Sequence, residues 1–200
     1  MLLSCFSCSE KLHGDGLGNY IYNTIHGLTV EDTFGNLKVS CTYIPVQYAA
    51  WQESKLKGES YKDILKEMKE FQFWELRLSD SSGTKEFLKA DNNPLHYQER
   101  LNYLLHGLQN DIIIIEGNDT LTVLDIHLER LYGIVNYNKV LLTFKRVPEN
   151  DFIEKNFLIR DRQDKGKPMR FLINSEDLKK LPTIRIKRKI HDIPNQQTSL

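Results

Sequence analysis

Three side chains with acid–base and metal-ligating chemistry alternate along one short segment: Asp125, His127 and Glu129. If the segment is a strand, its period of two places all three on one face. Histidine titrates near neutral pH and carboxylates hold its tautomer, so the trio could ligate a metal ion or serve a small metal-dependent or acid–base hydrolase. The alternative is an ordinary solvent-facing side of a strand that buries Ile126 and Leu128. The sequence leaves both open.

The rest of the sequence contains no nucleophile elbow, no H-E-x-x-H pattern and no phosphate loop, so we expect no cofactor. The chain has three cysteines, which cannot all pair within it. Cys5 and Cys8 have C-x-x-C spacing but lack the second Cys/His pair of a zinc site, so we expect no metal there. Cys41 lies in an apolar segment and is predicted to be a small buried side chain.

The charge balance argues against a nucleic-acid partner. Lys+Arg and Asp+Glu both number 27, which gives a net charge of zero, whereas nucleic-acid binders carry surplus positive charge. One basic cluster lies near the C-terminus and is predicted to be a solvated strand end; it consists of Arg185, Lys187, Arg188 and Lys189.

The first residues are similar to a lipidation signal. Leu2-Leu3-Ser4-Cys5 resembles a bacterial lipobox, in which the cysteine is diacylated, and residues 1–19 are predicted to be a flexible polar tether. A signal peptide also needs an apolar stretch of about 7–15 residues, which these few residues cannot supply. We therefore expect a start upstream of Met1 and a location in the cell envelope; the alternative is an ordinary cytoplasmic N-terminus.

Hydrophobic periodicity predicts both strands and amphipathic helices. Strands are expected at residues 37–44, 71–78, 138–146, 169–173 and 183–186. Helices are expected at residues 45–58, 59–71 and 93–110, with a helical turn at 174–177. In the second helix Met68 and Phe71 are predicted to be core residues.

The strongest local signal is a hairpin over residues 112–124. Two runs of strand-forming residues flank Gly117-Asn118, a composition typical of a tight turn. Because strands and helices do not alternate strictly, the predicted fold class is α+β, with a mainly antiparallel sheet and two or three amphipathic helices. We expect one globular domain over residues 20–190 and a polar, disordered tail over 191–200.

Several segments together resemble an uncharacterised Bacteroidota cell-envelope lipoprotein family. The motifs occur in the same order over residues 20–186. They are Val39–Tyr48 ("Q-Y-x-P-x-E-Y"), Tyr97–Leu104 ("Y-x-x-R-L-x-Y-L"), Leu108–Ile112 ("M-Q-N-D-I"), Asp119–Leu121 ("D-T-L"), His127–Gly133 ("H-F-E-R-x-Y-G/D") and Asp177–Pro182 ("D-L-x-K-x-P"). Gln47 departs from the acidic residue of the first motif.

The resemblance implies an envelope-anchored lipoprotein without an assigned activity. It implies a lipid on Cys5, and the D-T-L motif makes Thr120 a candidate O-glycosylation site. The expected role is a non-catalytic binding or structural module that recognises a protein or an envelope ligand and meets the membrane only through its N-terminal lipid. The hydrolase based on residues 125–129 is the alternative.

Overall fold

The chain folds as a single α+β domain with mostly antiparallel strands, as its sequence predicts. The structure, a computed structural model, describes residues 10–91, 93–129, 131, 133–160 and 168–186. The helices are α1 (Gly14–Tyr22), α2 (Val46–Lys57), α3 (Tyr61–Met68), α4 (Pro94–Asn102) and α5 (Ser175–Lys179). The strands are β1 (Lys11–Leu12), β2 (Thr29–Phe34), β3 (Leu37–Ile44), β4 (Phe71–Asp80), β5 (Ile112–Glu116), β6 (Asp119–Thr122), β7 (Asp125–Glu129), β8 (Asn138–Lys145), β9 (Lys155–Ile159), β10 (Met169–Ile173) and β11 (Thr183–Ile184).

Two antiparallel sheets carry the fold. The larger has five strands in the order β2-β3-β4-β8-β7, and the smaller has four in the order β10-β9-β5-β6. β5 and β6 form the hairpin predicted around Gly117, whose φ of 58° lies in the left-handed region that glycine adopts without strain. β1 and β11 form a short parallel pair beside the sheets.

The two sheets pack face to face through a layer of aromatic rings. The ring of Phe157 on β9 lies 5.0 Å from Trp74 on β4, 6.2 Å from Phe144 on β8 and 6.3 Å from Phe171 on β10. All four side chains are fully buried. Edge-to-face and tilted ring pairs of this kind add to the stabilisation that burial itself provides. Cys41 is buried here too, as predicted.

The other face of the larger sheet is covered in part by α1 and α2. Leu17 and Ile21 of α1 are buried, so the predicted flexible tether is wrong for residues 10–19. The glycines that indicated flexibility instead allow close packing: a Cβ on Gly18 would lie 2.5 Å from the Tyr48 hydroxyl oxygen, and one on Gly14 would lie 2.0 Å from the Trp51 ring. Residues 1–9 lie outside the described part of the chain.

Other local predictions differ from the structure at element ends. α3 ends at Met68, which is half-buried, and Phe71 starts β4 with 37% of its surface exposed, so neither is a core residue. The sequence did not predict β2 or β9. No helix among the described residues is both long and apolar enough to cross a membrane. The predicted tail at 191–200 lies outside the described residues.

Candidate functional site

One end of the sandwich opens into a cleft of about 890 Å³. It lies between the β2–β3 turn, α4 and the adjoining ends of β9 and β10. Its apolar walls include Phe34, Leu37, Leu78, Phe87, Leu104 and Ile159, and its polar lining includes His96, Glu99, Arg100 and Arg160. Small-molecule sites are typically clefts of about 300–1,000 Å³ with apolar walls and a few polar groups. The cleft therefore has the size and lining of a ligand site.

α4 supplies most of the polar lining. The Asn93 side chain accepts a hydrogen bond from the Leu95 backbone N–H at 3.0 Å, and Pro94 occupies the first turn, so the helix starts where the sequence predicts. His96, Glu99 and Arg100 follow at spacings of three and four, which place them on neighbouring positions of one helix face.

The guanidinium group of Arg100 is held from two sides. Its Nη2 donates to Asp91 Oδ2 at 2.5 Å, and its central carbon lies 5.3 Å from the centre of the Phe87 ring. The same carboxylate oxygen is 3.1 Å from His96 Nδ1. Hydrogen bonds from the Asn93 backbone N–H, Arg100 and His96 together lower the pKa of Asp91 to about 2, and the Asn93 N–H contributes most. Arg100 is thus placed by a carboxylate that stays ionised.

A π-helical turn, Tyr103–Gly107, continues α4 along the cleft. Such turns are rare, and they occur frequently at functional sites. A Cβ on Gly107 would lie 2.6 Å from the Tyr103 ring, so glycine is needed for this ring position. The turn places Tyr103 and Leu104 in the cleft wall.

The sequence-predicted trio lies elsewhere, on β7 at the edge of the larger sheet. Asp125 and His127 are exposed, and Glu129 Oε2 lies 2.7 Å from Lys139 Nζ on the neighbouring strand. Ile126 and Leu128 pack against the core, as the solvent-facing interpretation predicts. No group of three His, Cys, Asp or Glu side chains in the described ranges could hold a metal ion.

Glu129 instead borders a buried polar network on the helix-covered face. The Tyr22 hydroxyl donates to Glu75 Oε2 at 2.9 Å, Arg77 Nε donates to Glu75 Oε1 at 2.7 Å, and Lys139 Nζ lies 3.4 Å from Glu75 Oε2. Burial and the Glu75 charge raise the pKa of Tyr22. Burial opposes protonation of Lys139, but Glu75 and Glu129 outweigh it and raise its pKa. The network balances two carboxylates against two cations.

The remaining predicted sites are Thr120, Cys5 and the basic cluster near the C-terminus. Thr120 is exposed on β6, at an edge of the smaller sheet, so its hydroxyl is accessible for modification. Cys5 lies outside the described residues, as do three members of the basic cluster. Its fourth member, Arg185, is exposed, and its backbone N–H donates to the Leu12 carbonyl.

No sequence pattern predicts the cleft as a whole. Its signal was Arg100, a cation inside the Tyr97–Leu104 motif, on a helix whose apolar stripe includes Leu104. The other walls come from residues 34–37, 78, 87, 90, 159–160 and 169, and most of these are brought to α4 only by the fold. Comparison of the chain with protein-family models, curated proteins and solved structures gives no match.

Proposed function

We propose that this protein is a non-catalytic binding module that holds a small organic ligand of the cell envelope in the end cleft. The observation that carries the proposal is the cleft itself, with its apolar walls and an arginine fixed by Asp91. The residues described in its lining include no serine, threonine or cysteine beside His96 that could act as a nucleophile. This favours binding over nucleophilic catalysis.

The envelope location is part of the proposal and rests on the sequence. The lipobox-like segment ending at Cys5 and the family-like motifs support it. A lipid on Cys5 would anchor the domain at the periplasmic or outer-membrane surface. The cleft proposal does not depend on this anchor.

Filling the cleft tests the binding role. We expect octanol, an apolar probe with one polar end, to shift the NMR signals of cleft residues in the native protein. Ala90→Trp places an indole in the cleft lining and is expected to abolish these shifts. The matched control, Leu141→Trp, changes an exposed position of β8 and should leave them intact. Shifts spread evenly over the surface, or equal in both variants, would contradict a cleft site.

Metabolic labelling tests the anchor. The gene, with its own upstream region, is expressed in its native host with a labelled fatty acid. We expect label in the native protein and in Cys8→Ser, and loss of label in Cys5→Ser. Label that persists in Cys5→Ser would remove the proposed lipidation site, and its absence from the native protein would remove the anchor.

A further inference from the structure

The hydrogen-bond donors of Arg100 are only partly used. Nη2 donates to Asp91, but Nη1 is buried and has no acceptor among the described residues. A guanidinium group offers five N–H donors in a planar fork that fits a carboxylate. A buried donor without a partner is unfavourable, so a ligand that supplies an acceptor gains more here than at a satisfied side chain.

The described side chains that line the cleft include more cations than anions, which is the balance that attracts a carboxylate. Its described lining carries two arginines, Arg100 and Arg160, against one carboxylate, Glu99. Asp91 is not in the described lining, but its ion pair with Arg100 holds the guanidinium in place and offsets part of its charge. The described lining itself carries one more cation than anions, which favours an anionic group.

We propose that the cleft binds an amphipathic carboxylate, and this rests on the proposed binding role. The carboxylate of the ligand pairs with Arg100 Nη1, and its apolar chain lies against Phe34, Leu37 and Leu78. The Arg100 side chain is 23% exposed and lines the cleft, so the guanidinium is accessible from it. Nη1 itself is shielded from water in this structure, so the proposed pairing requires the guanidinium to turn towards the cleft.

Two probes of equal chain length test this inference by calorimetry and NMR. Octanoate is expected to bind roughly tenfold more tightly than octanol, because a hydrogen bond to a charged group contributes about that factor. In Arg100→Gln the preference should disappear while octanol binding remains. In the control Lys89→Gln, which neutralises a nearby surface cation that does not line the cleft, the preference should be unchanged.

Asp91→Asn is expected to change the affinity for octanoate in the opposite direction from Arg100→Gln. It removes the carboxylate that neutralises Arg100 while keeping the size of the side chain, so octanoate should bind more tightly than to the native protein and octanol equally. This variant also carries the test if Arg100→Gln does not fold. Equal affinities of the two probes for the native protein, or a preference that survives in folded Arg100→Gln, would overturn the carboxylate inference alone. If neither probe reaches the cleft, the binding role fails as well.

Discussion

Two buried glutamates differ in the number of hydrogen-bond and ion-pair partners that their carboxylates have. Glu75, on the helix-covered face, is 1% exposed, and Glu116, between the sheets, is 0% exposed. Glu75 has partners at both oxygens: Arg77 at one, and Tyr22 and Lys139 at the other. Glu116 has one cation, Lys155, whose Nζ lies 2.6 Å from Oε1, and its Oε2 has no hydrogen-bond partner in the described part of the chain.

The difference follows from where each carboxylate lies. The helix-covered face is only partly closed, so Arg77 and Lys139 reach Glu75 while 31% and 24% of their side chains stay exposed. Between the sheets, by contrast, the Lys155 side chain that reaches Glu116 is itself only 3% exposed. Its Nζ finds one more acceptor, the Asn150 carbonyl at 3.2 Å. Among the described residues, the Glu116 carboxylate therefore depends on a single side-chain contact, whereas Glu75 has three.

Removal of the inner cation should give the largest effect. Lys155→Met leaves Glu116 buried and without a counter-ion, and we expect the free energy of unfolding to fall by about 3–5 kcal/mol. Chemical denaturation measures the change. The matched control, Lys139→Met, leaves Arg77 in contact with Glu75 and should cost about 1–2 kcal/mol.

The double variant Glu116→Leu/Lys155→Met distinguishes the stability lost with the ion pair from the cost of leaving the Glu116 carboxylate buried and unpaired. Both charges are then absent, and we expect a stability within about 1 kcal/mol of the native protein, or above it. A double variant as unstable as Lys155→Met would show that the apolar pair does not fit, and that the loss did not come from an unpaired carboxylate.

Neutralising each carboxylate compares the two regions directly. Glu75→Gln keeps the shape of the side chain, leaves Arg77 and Lys139 near water, and should destabilise the protein by about 1–3 kcal/mol. Glu116→Gln leaves the ammonium of Lys155 buried, and we expect it to destabilise the protein more. Equal losses of unfolding free energy in the two variants would mean that the additional partners of Glu75 do not make its network less sensitive than the Glu116–Lys155 pair.

Alkaline titration distinguishes the regions by their tyrosines. Burial raises the pKa of Tyr22 and of Tyr43 above 10.0, and further raising comes from Glu75 at Tyr22 and from Asp151 and Glu116 at Tyr43. The unfolded chain releases these protons near pH 10, and the folded protein retains them. Each tyrosine therefore stabilises the fold below pH 10, and this contribution is lost as the pH rises above it, by roughly 1.4 kcal/mol per pH unit.

The variants make this titration specific. Tyr22→Phe and Tyr43→Phe should each reduce the slope of unfolding free energy against pH above pH 10. Glu75→Gln should lower the pKa of Tyr22, followed by tyrosinate absorbance, and leave that of Tyr43 unchanged. A parallel shift of both would show that Glu75 does not act locally.

The sequence predicts the elements that have strong hydrophobic periodicity. Whether a polar side chain on such an element is buried depends on which helix packs over it. β4 and the β5–β6 hairpin follow from their apolar runs. Glu75 occupies an outward position of β4, and an outward glutamate is normally solvated. It is buried because α1 packs above it, and α1 was missed since its glycines indicated a flexible segment. Because α1 was not predicted, the burial of Glu75 on a distant strand could not be predicted either.

Glu116 was unpredictable for a different reason. It precedes the Gly117 turn, where an exposed carboxylate is expected, and its partner Lys155 is 39 residues away on β9. β9 was not predicted, so the register that places Glu116 opposite Lys155 could not be inferred. Local patterns determine strands, whereas the pairing of charged residues depends on which strands become neighbours.

The smallest effect is expected at Glu129, where the outer network meets the predicted 125–129 face. Its side chain is 38% exposed, so the ion pair with Lys139 is screened by water, and Glu129→Gln should change the unfolding free energy by about 0–1 kcal/mol. Asp125→Asn, on the same face, is the matched control and should have no larger effect. We expect that added zinc does not raise the thermal unfolding midpoint of the native protein or of either variant. A zinc-dependent rise in the native protein that both variants lack would restore the metal-dependent hydrolase, because it would show that the side chains of β7 converge on an ion.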